Sequence, residues 1–165
     1  MIRLEGVTKT YGTELSEVRA LAGVDLEIGT GEYVAIMGPS GSGKSTMMNI
    51  IGCLDRPSDG NYYFDELEVG RLPDAARARL RGRVLGVVVQ SYNLLPRLTA
   101  LEQVELPLVY QQAPNRRRRA AEALMRVGLG PRIHHRPSEM SGGEQQRVAI
   151  ARSLVVNPRV VLAGE

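Results

Sequence analysis

The chain has 165 residues, 43% of them hydrophobic, a length that suits one domain core and gives no reason to expect two independently folded domains. It carries 21 Lys and Arg against 18 Asp and Glu, and this net charge of +3 is too small by itself to indicate a nucleic-acid-binding protein. A single cysteine, Cys53, excludes an internal disulfide, the N-terminal residues lack the apolar segment of a secretory signal, and no apolar run reaches the roughly 20 residues of a membrane helix. We therefore expect a reducing, cytoplasmic setting in which any membrane role comes through a partner.

The first third of the chain predicts two antiparallel strands, followed by a strand, a loop and a helix. IRLEGVTKTY and ALAGVDLEI alternate apolar and polar residues, as half-buried strands do. YVAIM (33–37) is apolar without alternation, which predicts a strand covered on both faces. The apolar helix after the glycine-rich loop is expected to contribute to the core through Met47, Met48, Ile50, Ile51 and Cys53.

Shorter elements are predicted in the middle of the chain. PSDG (57–60) predicts a turn before a strand at NYYF, and PDAARARLRG (73–82) predicts a helix stopped by Gly82. VLGVVV (84–89) predicts a second buried strand.

Beyond residue 90 the hydrophobic period becomes helical. Thr99 and Glu102 predict a capping box at the start of one helix. The arginines 116–119 lead into a second helix, whose expected apolar face is Ala120, Ala121, Leu124 and Met125. Asn157-Pro158 then predicts a stop, and residues 160–163 a short buried strand.

GPSGSGKS (38–45) matches in full the G-x-x-x-x-G-K-S/T loop that binds nucleotide phosphates, in the required strand and helix context. Glycines allow successive backbone N–H groups to converge on phosphate oxygens, helped by the positive end of the following helix. Lys44 is expected to reach the β- and γ-phosphates and Ser45 to hold Mg²⁺. A chance glycine-rich turn is the alternative, and the motif alone leaves GTPases, kinases and ATPases open. The expected phosphate-binding residues are Gly38, Pro39, Ser40, Gly41, Ser42, Gly43, Lys44, Ser45 and Thr46.

A second motif, MSGGEQQRVAIAR (140–152), distinguishes among these classes of nucleotide-binding protein. Ser141 and Glu144 predict a capping box around two glycines, which leaves backbone N–H groups uncovered at a helix start and suits an anion; an ordinary capped helix is the alternative. The segment resembles the LSGGQ signature of ABC ATPases, and the resemblance covers essentially the whole chain. GKSTMMNIIGCLDRPSDG and QSYNLLPRLTALEQVELPLVY are most similar to the lipoprotein-release and macrolide-efflux branch.

This resemblance implies an α/β fold, a P-loop NTPase core with an N-terminal antiparallel β region and a helical subdomain. The implied parts are the P-loop core and β region (1–90), the helical subdomain (91–140), and the signature helix with the Walker B strand (141–165).

The family's site residues are carried over position by position. Tyr11 is implied to stack on adenine, Gln90 to reach Mg²⁺ or the attacking water, and Glu165 to act as general base. The expected catalytic residues are therefore Lys44, Gln90 and Glu165. The residues implied to close on a nucleotide held by a second copy are Ser141, Gly142, Gly143 and Glu144.

The implied function is that of a transporter's ATP-binding subunit, with ATP and Mg²⁺ as cofactors. Two copies would pair head to tail around two ATP and work on a transmembrane permease, placing the chain peripherally on the inner face of the cell membrane. For residues 116–119 a solvated surface is favoured over a nucleic-acid patch, and His134-His135 lacks partners at zinc spacing.

The end of the chain departs from the family pattern. Gly164 stands where the family has the Walker B Asp, and the family continues into a D-loop and a strand with a switch His. We therefore expect a fragment or damaged copy, with an incomplete central sheet and negligible hydrolysis. The alternative function is a non-hydrolysing nucleotide-binding module or truncated remnant.

Overall fold

The computed structural model describes residues 1–12, 16–89 and 92–164, and the chain divides into two compact units, Met1–Ala78 and Arg79–Glu165. In the first unit a four-stranded antiparallel sheet has the order β2-β1-β3-β4. The two strands predicted from alternation and the strand at NYYF are confirmed. The elements of this unit are β1 (Ile2–Tyr11), β2 (Val18–Ile28), α1 (Lys44–Ile51), β3 (Asp59–Phe64) and β4 (Leu67–Glu68), and α2 (Asp74–Val84) runs across the boundary.

The core of the first unit lies between the sheet and α1. Ile50 and Ile51 at the end of α1 are at most 1% exposed, which confirms them as core residues, whereas Met47 and Met48 are only half-buried. The buried Tyr62 of β3 donates its hydroxyl to the Ile51 carbonyl at 2.8 Å. Burial raises the pKa of Tyr62 far above its ordinary value, so this hydroxyl stays a donor and ties the helix end to the sheet. Other large core side chains of this unit are Ile2, Leu4, Val7, Leu21, Phe64 and Val69, with the buried Cys53 just beyond α1.

The prediction of a buried strand at residues 33–37 is wrong. No strand is formed there, and Tyr33 and Met37 are 97% and 88% exposed. An apolar run becomes a buried strand only where a neighbouring strand supplies partners for its backbone groups. Within the described residues no strand pairs with this segment. The apolar composition of this segment favours burial, but no paired strand among the described residues buries it.

In the second unit a two-stranded parallel sheet accompanies three helices. Leu85 pairs with Val160 and Val88 with Ala163, and the Gly164 N–H donates to the Val88 carbonyl at 3.0 Å. A strand is therefore confirmed at 160–163, and the one predicted at 84–89 is confirmed over its central four residues. The prediction that residues 160–163 are buried is wrong, since Val161 is 49% exposed and Ala163 is exposed as well. The elements are β5 (Leu85–Val88), α3 (Ala100–Tyr110), α4 (Arg116–Arg126), α5 (Gly142–Leu154) and β6 (Val160–Ala163), with 3₁₀ turns at Gly130–Arg132 and Pro137–Glu139.

Gly82 does not stop α2, contrary to the prediction. The helix continues to Val84, and Gly82 is not among the residues with positive φ. Glycine ends a helix when it takes the left-handed conformation, whereas a right-handed glycine costs only about 1 kcal/mol relative to alanine. The helix is favoured by Asp74 in its first turn and by Arg81 and Arg83 in its last, since these charges oppose the helix dipole.

Helices α3, α4 and α5 enclose the core of the second unit. The capping box predicted at Thr99 is confirmed, since its hydroxyl accepts from the Glu102 N–H and its N–H donates to the Glu102 carboxylate. On α4, Ala120 and Leu124 are fully buried and Ala121 is half-buried, but Met125 is 57% exposed and was wrongly predicted to face the core. Because successive helix residues are about 100° apart, Met125 lies to one side of the face centred on Leu124. Other members of this core are Val104, Leu108, Val148 and Ala151.

Candidate functional site

The glycine-rich loop leads directly into α1. Its Ser42 N–H donates to the Pro39 carbonyl at 3.3 Å. The first hydrogen bond of α1 runs from the Met47 N–H to the Gly43 carbonyl at 2.8 Å. Gly43 is the N-cap residue and has φ +86°, the left-handed region that favours glycine. The free N–H groups of the first helical turn therefore open next to the loop, as an anion site requires.

Gly43 also lies against β2. A Cβ atom at this position would come within 2.4 Å of the Ala20 carbonyl oxygen and 2.9 Å of a Leu21 methyl carbon. A backbone atom cannot yield as a flexible side chain can, so only glycine lets the loop end here. The sheet thus fixes the start of α1.

The Lys44 ammonium spans the loop. It donates to the carbonyls of Gly38 at 2.8 Å and Pro39 at 2.7 Å, which lie six and five positions earlier, respectively. An ammonium has three N–H donors, so these two bonds leave it capacity for an anion. This geometry fits a positive charge held at the mouth of a phosphate-binding loop.

Tyr11 ends β1 and is 40% exposed. Its hydroxyl donates to Asp55 Oδ2 at 2.8 Å, and the Lys9 ammonium lies 4.9 Å from the centre of its ring. Burial and the neighbouring Asp55 raise the pKa of Tyr11, while a hydrogen bond with Thr46 on α1 opposes that shift. The aromatic side chain is therefore held beside the first turn after the glycine-rich loop.

Asp55 connects these groups, and sequence reasoning missed it. Its Oδ1 accepts from Lys9 and from the Arg56 N–H, both at 2.7 Å, while Oδ2 accepts from Tyr11. Partial burial alone would raise the pKa of Asp55, but the hydrogen bonds from Lys9, Tyr11 and the Arg56 N–H outweigh it and hold that pKa below its ordinary value. One signal was available in the sequence: Lys9 is one of only two lysines and lies two residues before Tyr11 on the same strand.

In the second unit, the capping box predicted at the start of α5 is confirmed. Ser141 Oγ accepts from the Glu144 N–H at 3.3 Å, and the Ser141 N–H donates to Glu144 Oε2 at 2.8 Å. Gly142 and Gly143 between them are exposed, so their backbone N–H groups face solvent at the positive end of the helix. Sequence reasoning missed Arg132, whose Nε lies 3.2 Å from Glu144 Oε1. This ion pair links the helix start to the 3₁₀ turn at Gly130–Arg132.

We predict that the free energy of unfolding depends on pH through the Glu144 carboxylate. Hydrogen bonds from the Ser141 backbone and side chain, then the charges of Arg132 and Arg147, hold the pKa of Glu144 below its ordinary value of 4.5. A lowered carboxylate pKa contributes stability that is complete above the unfolded-state pKa and is lost as the pH falls through the folded-state value. We expect Glu144→Gln to lower the free energy of unfolding at pH 7, with the gap to wild type closing as the pH falls below about 4.5.

Urea unfolding at a series of pH values measures this gap. Glu122→Gln, on the exposed face of α4, is the matched control for loss of one carboxylate charge. A Glu144→Gln gap that stays constant from pH 7 to pH 3 would contradict the capping role of the carboxylate.

Two expected site residues, Gln90 and Glu165, lie outside the described residues. β5 and β6 pair in parallel as far as Val88 and Ala163, and the Gly164 N–H bonds the Val88 carbonyl. Among residues 1–12, 16–89 and 92–164, no cluster of three or more His, Cys, Asp or Glu is arranged to hold a metal ion. In the same part of the chain, no helix has the length and apolar character needed to cross a bilayer.

Sequence comparison matches the chain to known proteins of one family. A family model described as ABC transporter matches residues 21–165. An uncharacterized ABC transporter ATP-binding protein of Thermotoga maritima is 54% identical over 167 residues, covering 100% of this chain and 71% of that protein. A macrolide export ATP-binding/permease protein, MacB 1/2 of Paracoccus denitrificans, is 53% identical over the whole chain, which spans 25% of its length.

Solved structures agree with the sequence comparison. The ATP-binding cassette MJ0796, known from Methanocaldococcus jannaschii, superimposes with a TM-score of 0.91 at 48% identity in a dimeric post-hydrolysis state bound to ADP and Pi. That match covers 99% of this chain and 73% of the cassette. The likeness confirms the expected α/β P-loop fold.

Proposed function

We propose that residues 38–46 and Tyr11 bind MgATP, since this chain belongs to the ABC transporter family as an ATP-binding protein. The observation that carries the proposal is the Lys44 ammonium, which is fixed across a loop that opens onto the N-terminus of α1. In this arrangement Lys44 meets the β- and γ-phosphates, backbone N–H groups of the loop surround them, and the Ser45 hydroxyl is the ligand offered to Mg²⁺.

The second half of the proposed site is the start of α5 from another copy of the chain. Ser141, Gly142, Gly143 and Glu144 present uncovered N–H groups but no phosphate-binding lysine, which suits the far side of a nucleotide held elsewhere. The dimeric state of the MJ0796 cassette supports this pairing. ATP binding closes the dimer and hydrolysis reopens it.

A transmembrane permease is the proposed recipient of this work. The macrolide export proteins that match this chain are described as joined ATP-binding/permease proteins, which supports a permease partner and a peripheral position on the inner face of the cell membrane. Lys44, Gln90 and Glu165 are the proposed catalytic set. Gln90 is also the proposed second ligand of Mg²⁺.

The phosphate-binding role of Lys44 gives the central test. We expect Lys44→Ala to weaken MgATP binding by about 1.5–3 kcal/mol, the magnitude of a charge-assisted hydrogen bond. Isothermal titration calorimetry measures the difference. Arg118→Ala, which removes a positive charge from an exposed position on α4, is the control and should bind as wild type. Equal affinities for wild type and Lys44→Ala would refute the proposed phosphate site.

A second candidate is a nucleotide-binding module that does not hydrolyse ATP, and Gly164 favours it. Glycine has no side-chain oxygen to offer Mg²⁺ or its bound waters, so charge compensation at the phosphates is weaker than with an Asp. Phosphate release, measured for the protein beside Gly164→Asp and a Lys44→Ala background control, separates the two candidates. If the protein is a hydrolysing enzyme, it releases more phosphate than Lys44→Ala even with Gly164 in place. If it is a binding module, its phosphate release equals that of Lys44→Ala.

A further inference from the structure

The ion pair between Lys9 and Asp55 lies beside the proposed site, and the proposed function assigns it no role. The two side chains are 12% and 30% exposed, and their charged atoms are 2.7 Å apart. Both partners are anchored. Lys9 also donates to the Arg56 carbonyl at 2.8 Å, while the Asp55 N–H bonds the Asn49 carbonyl in the last turn of α1. The pair therefore joins β1 to the segment that follows α1.

Tyr11 is held by this pair at two points. Its hydroxyl donates to the Asp55 oxygen that Lys9 leaves unoccupied, and the Lys9 ammonium lies over its ring. An exposed tyrosine at a strand end would otherwise sample several rotamers, whereas fixing both the hydroxyl and the ring leaves one orientation. An immobilised ring loses less side-chain entropy when a ligand packs against it.

We propose that the Lys9–Asp55 pair is a positioning device for Tyr11, which holds the phenol ring so that a nucleotide base stacks on the face opposite the Lys9 ammonium. This inference rests on the proposed nucleotide site and adds Lys9 and Asp55 to it as positioning residues. Stacking is tolerant of base identity because every base has a π-face. The device therefore strengthens binding of the base while the glycine-rich loop binds the phosphates.

A purely structural role for the pair is the competing explanation, and two ligands distinguish them. MgATP uses both the base and the phosphates, whereas magnesium tripolyphosphate uses the phosphates alone. Loss of a positioning device weakens MgATP and leaves tripolyphosphate unchanged. Loss of a structural link between β1 and the end of α1 disturbs the loop and weakens both ligands.

The experiment titrates both ligands by calorimetry into wild type, Tyr11→Ala, Asp55→Ala and the double variant. We expect Tyr11→Ala to weaken MgATP by about tenfold to a hundredfold, the magnitude of base–aromatic stacking. Asp55→Ala should show a loss of the same order, the double variant should bind no more weakly than Tyr11→Ala, and tripolyphosphate affinity should be unchanged throughout. Asp55→Asn, which keeps an acceptor for the Tyr11 hydroxyl, should recover part of the loss.

Three results would overturn the inference. Asp55→Ala could weaken both ligands equally, could leave MgATP affinity unchanged, or could add its full loss to that of Tyr11→Ala. Failure of wild type to bind either ligand would instead refute the proposed nucleotide site, and the inference with it. Lys9→Met, which keeps most of the side-chain stem, repeats the test from the other partner if Asp55→Ala does not unfold cooperatively.

Discussion

Gly43→Ala is expected to weaken MgATP binding by about a hundredfold or more. Alanine at φ +86° carries a backbone penalty of about 1–2 kcal/mol, and its Cβ would lie 2.4 Å from the Ala20 carbonyl oxygen. Because that oxygen belongs to β2, relief requires the loop and the start of α1 to move away from the sheet. A loop that has moved no longer directs its N–H groups and Lys44 at one phosphate position, and small misplacements of binding groups are costly.

Gly41→Ala is the matched control, since Gly41 has φ +80° but nothing within 4 Å of an added Cβ. It therefore carries the same backbone penalty without the clash, and its loss of affinity should be clearly smaller. Calorimetric titration of MgATP into both variants, after urea unfolding has shown that each is folded, makes the comparison. Equal losses at the two positions would show that contact with β2 does not set the loop geometry.

Leu124→Ala is expected to lower the free energy of unfolding by about 2–5 kcal/mol, the range observed when a fully buried leucine is truncated. Leu124 is 0% exposed and lies in the core that α4 shares with α3 and α5, where Leu108 and Val148 are also fully buried. Its removal opens a cavity that rigid neighbouring helices only partly close. Urea unfolding monitored by circular dichroism measures the change.

The neighbouring Met125 supplies the control for Leu124→Ala. Met125 is 57% exposed, so Met125→Ala removes a side chain of similar size from the same helix without emptying the core. We expect its effect to stay within about 0.5 kcal/mol. Similar losses for the two variants would mean that α4 does not pack on α3 and α5 through the face centred on Leu124.

Features set by a few neighbouring residues were predictable from the sequence. Both capping boxes follow from a Ser or Thr with a Glu three residues later, and each forms as predicted at Thr99 and Ser141. The helix after the glycine-rich loop was likewise predictable, because the motif places a helix directly after the loop, and α1 begins at Lys44. The parallel strand at 160–163 was identifiable from a short apolar run bounded by stop signals.

Features that depend on distant partners were not predictable in this way. Residues 33–37 have the composition of a buried strand, but pairing is decided by which other strand lies alongside. Lys9 and Asp55 are 46 positions apart, so no local sequence pattern predicts their ion pair. Met125 was misplaced because an apolar residue near the edge of a helical face packs only if a neighbouring helix reaches it.

The exposed apolar segment at residues 33–37 has a consequence for how the protein behaves in concentrated solution. Tyr33, Val34 and Met37 together form a short hydrophobic stretch, and within the described residues no strand pairs with its backbone. Segments of this kind act as templates for strands of other chains, which makes them a starting point for aggregation. A net charge of +3 provides little long-range repulsion to oppose such contacts at physiological salt. We therefore expect copies of this chain to associate through residues 33–37 in concentrated solution wherever this segment is left uncovered.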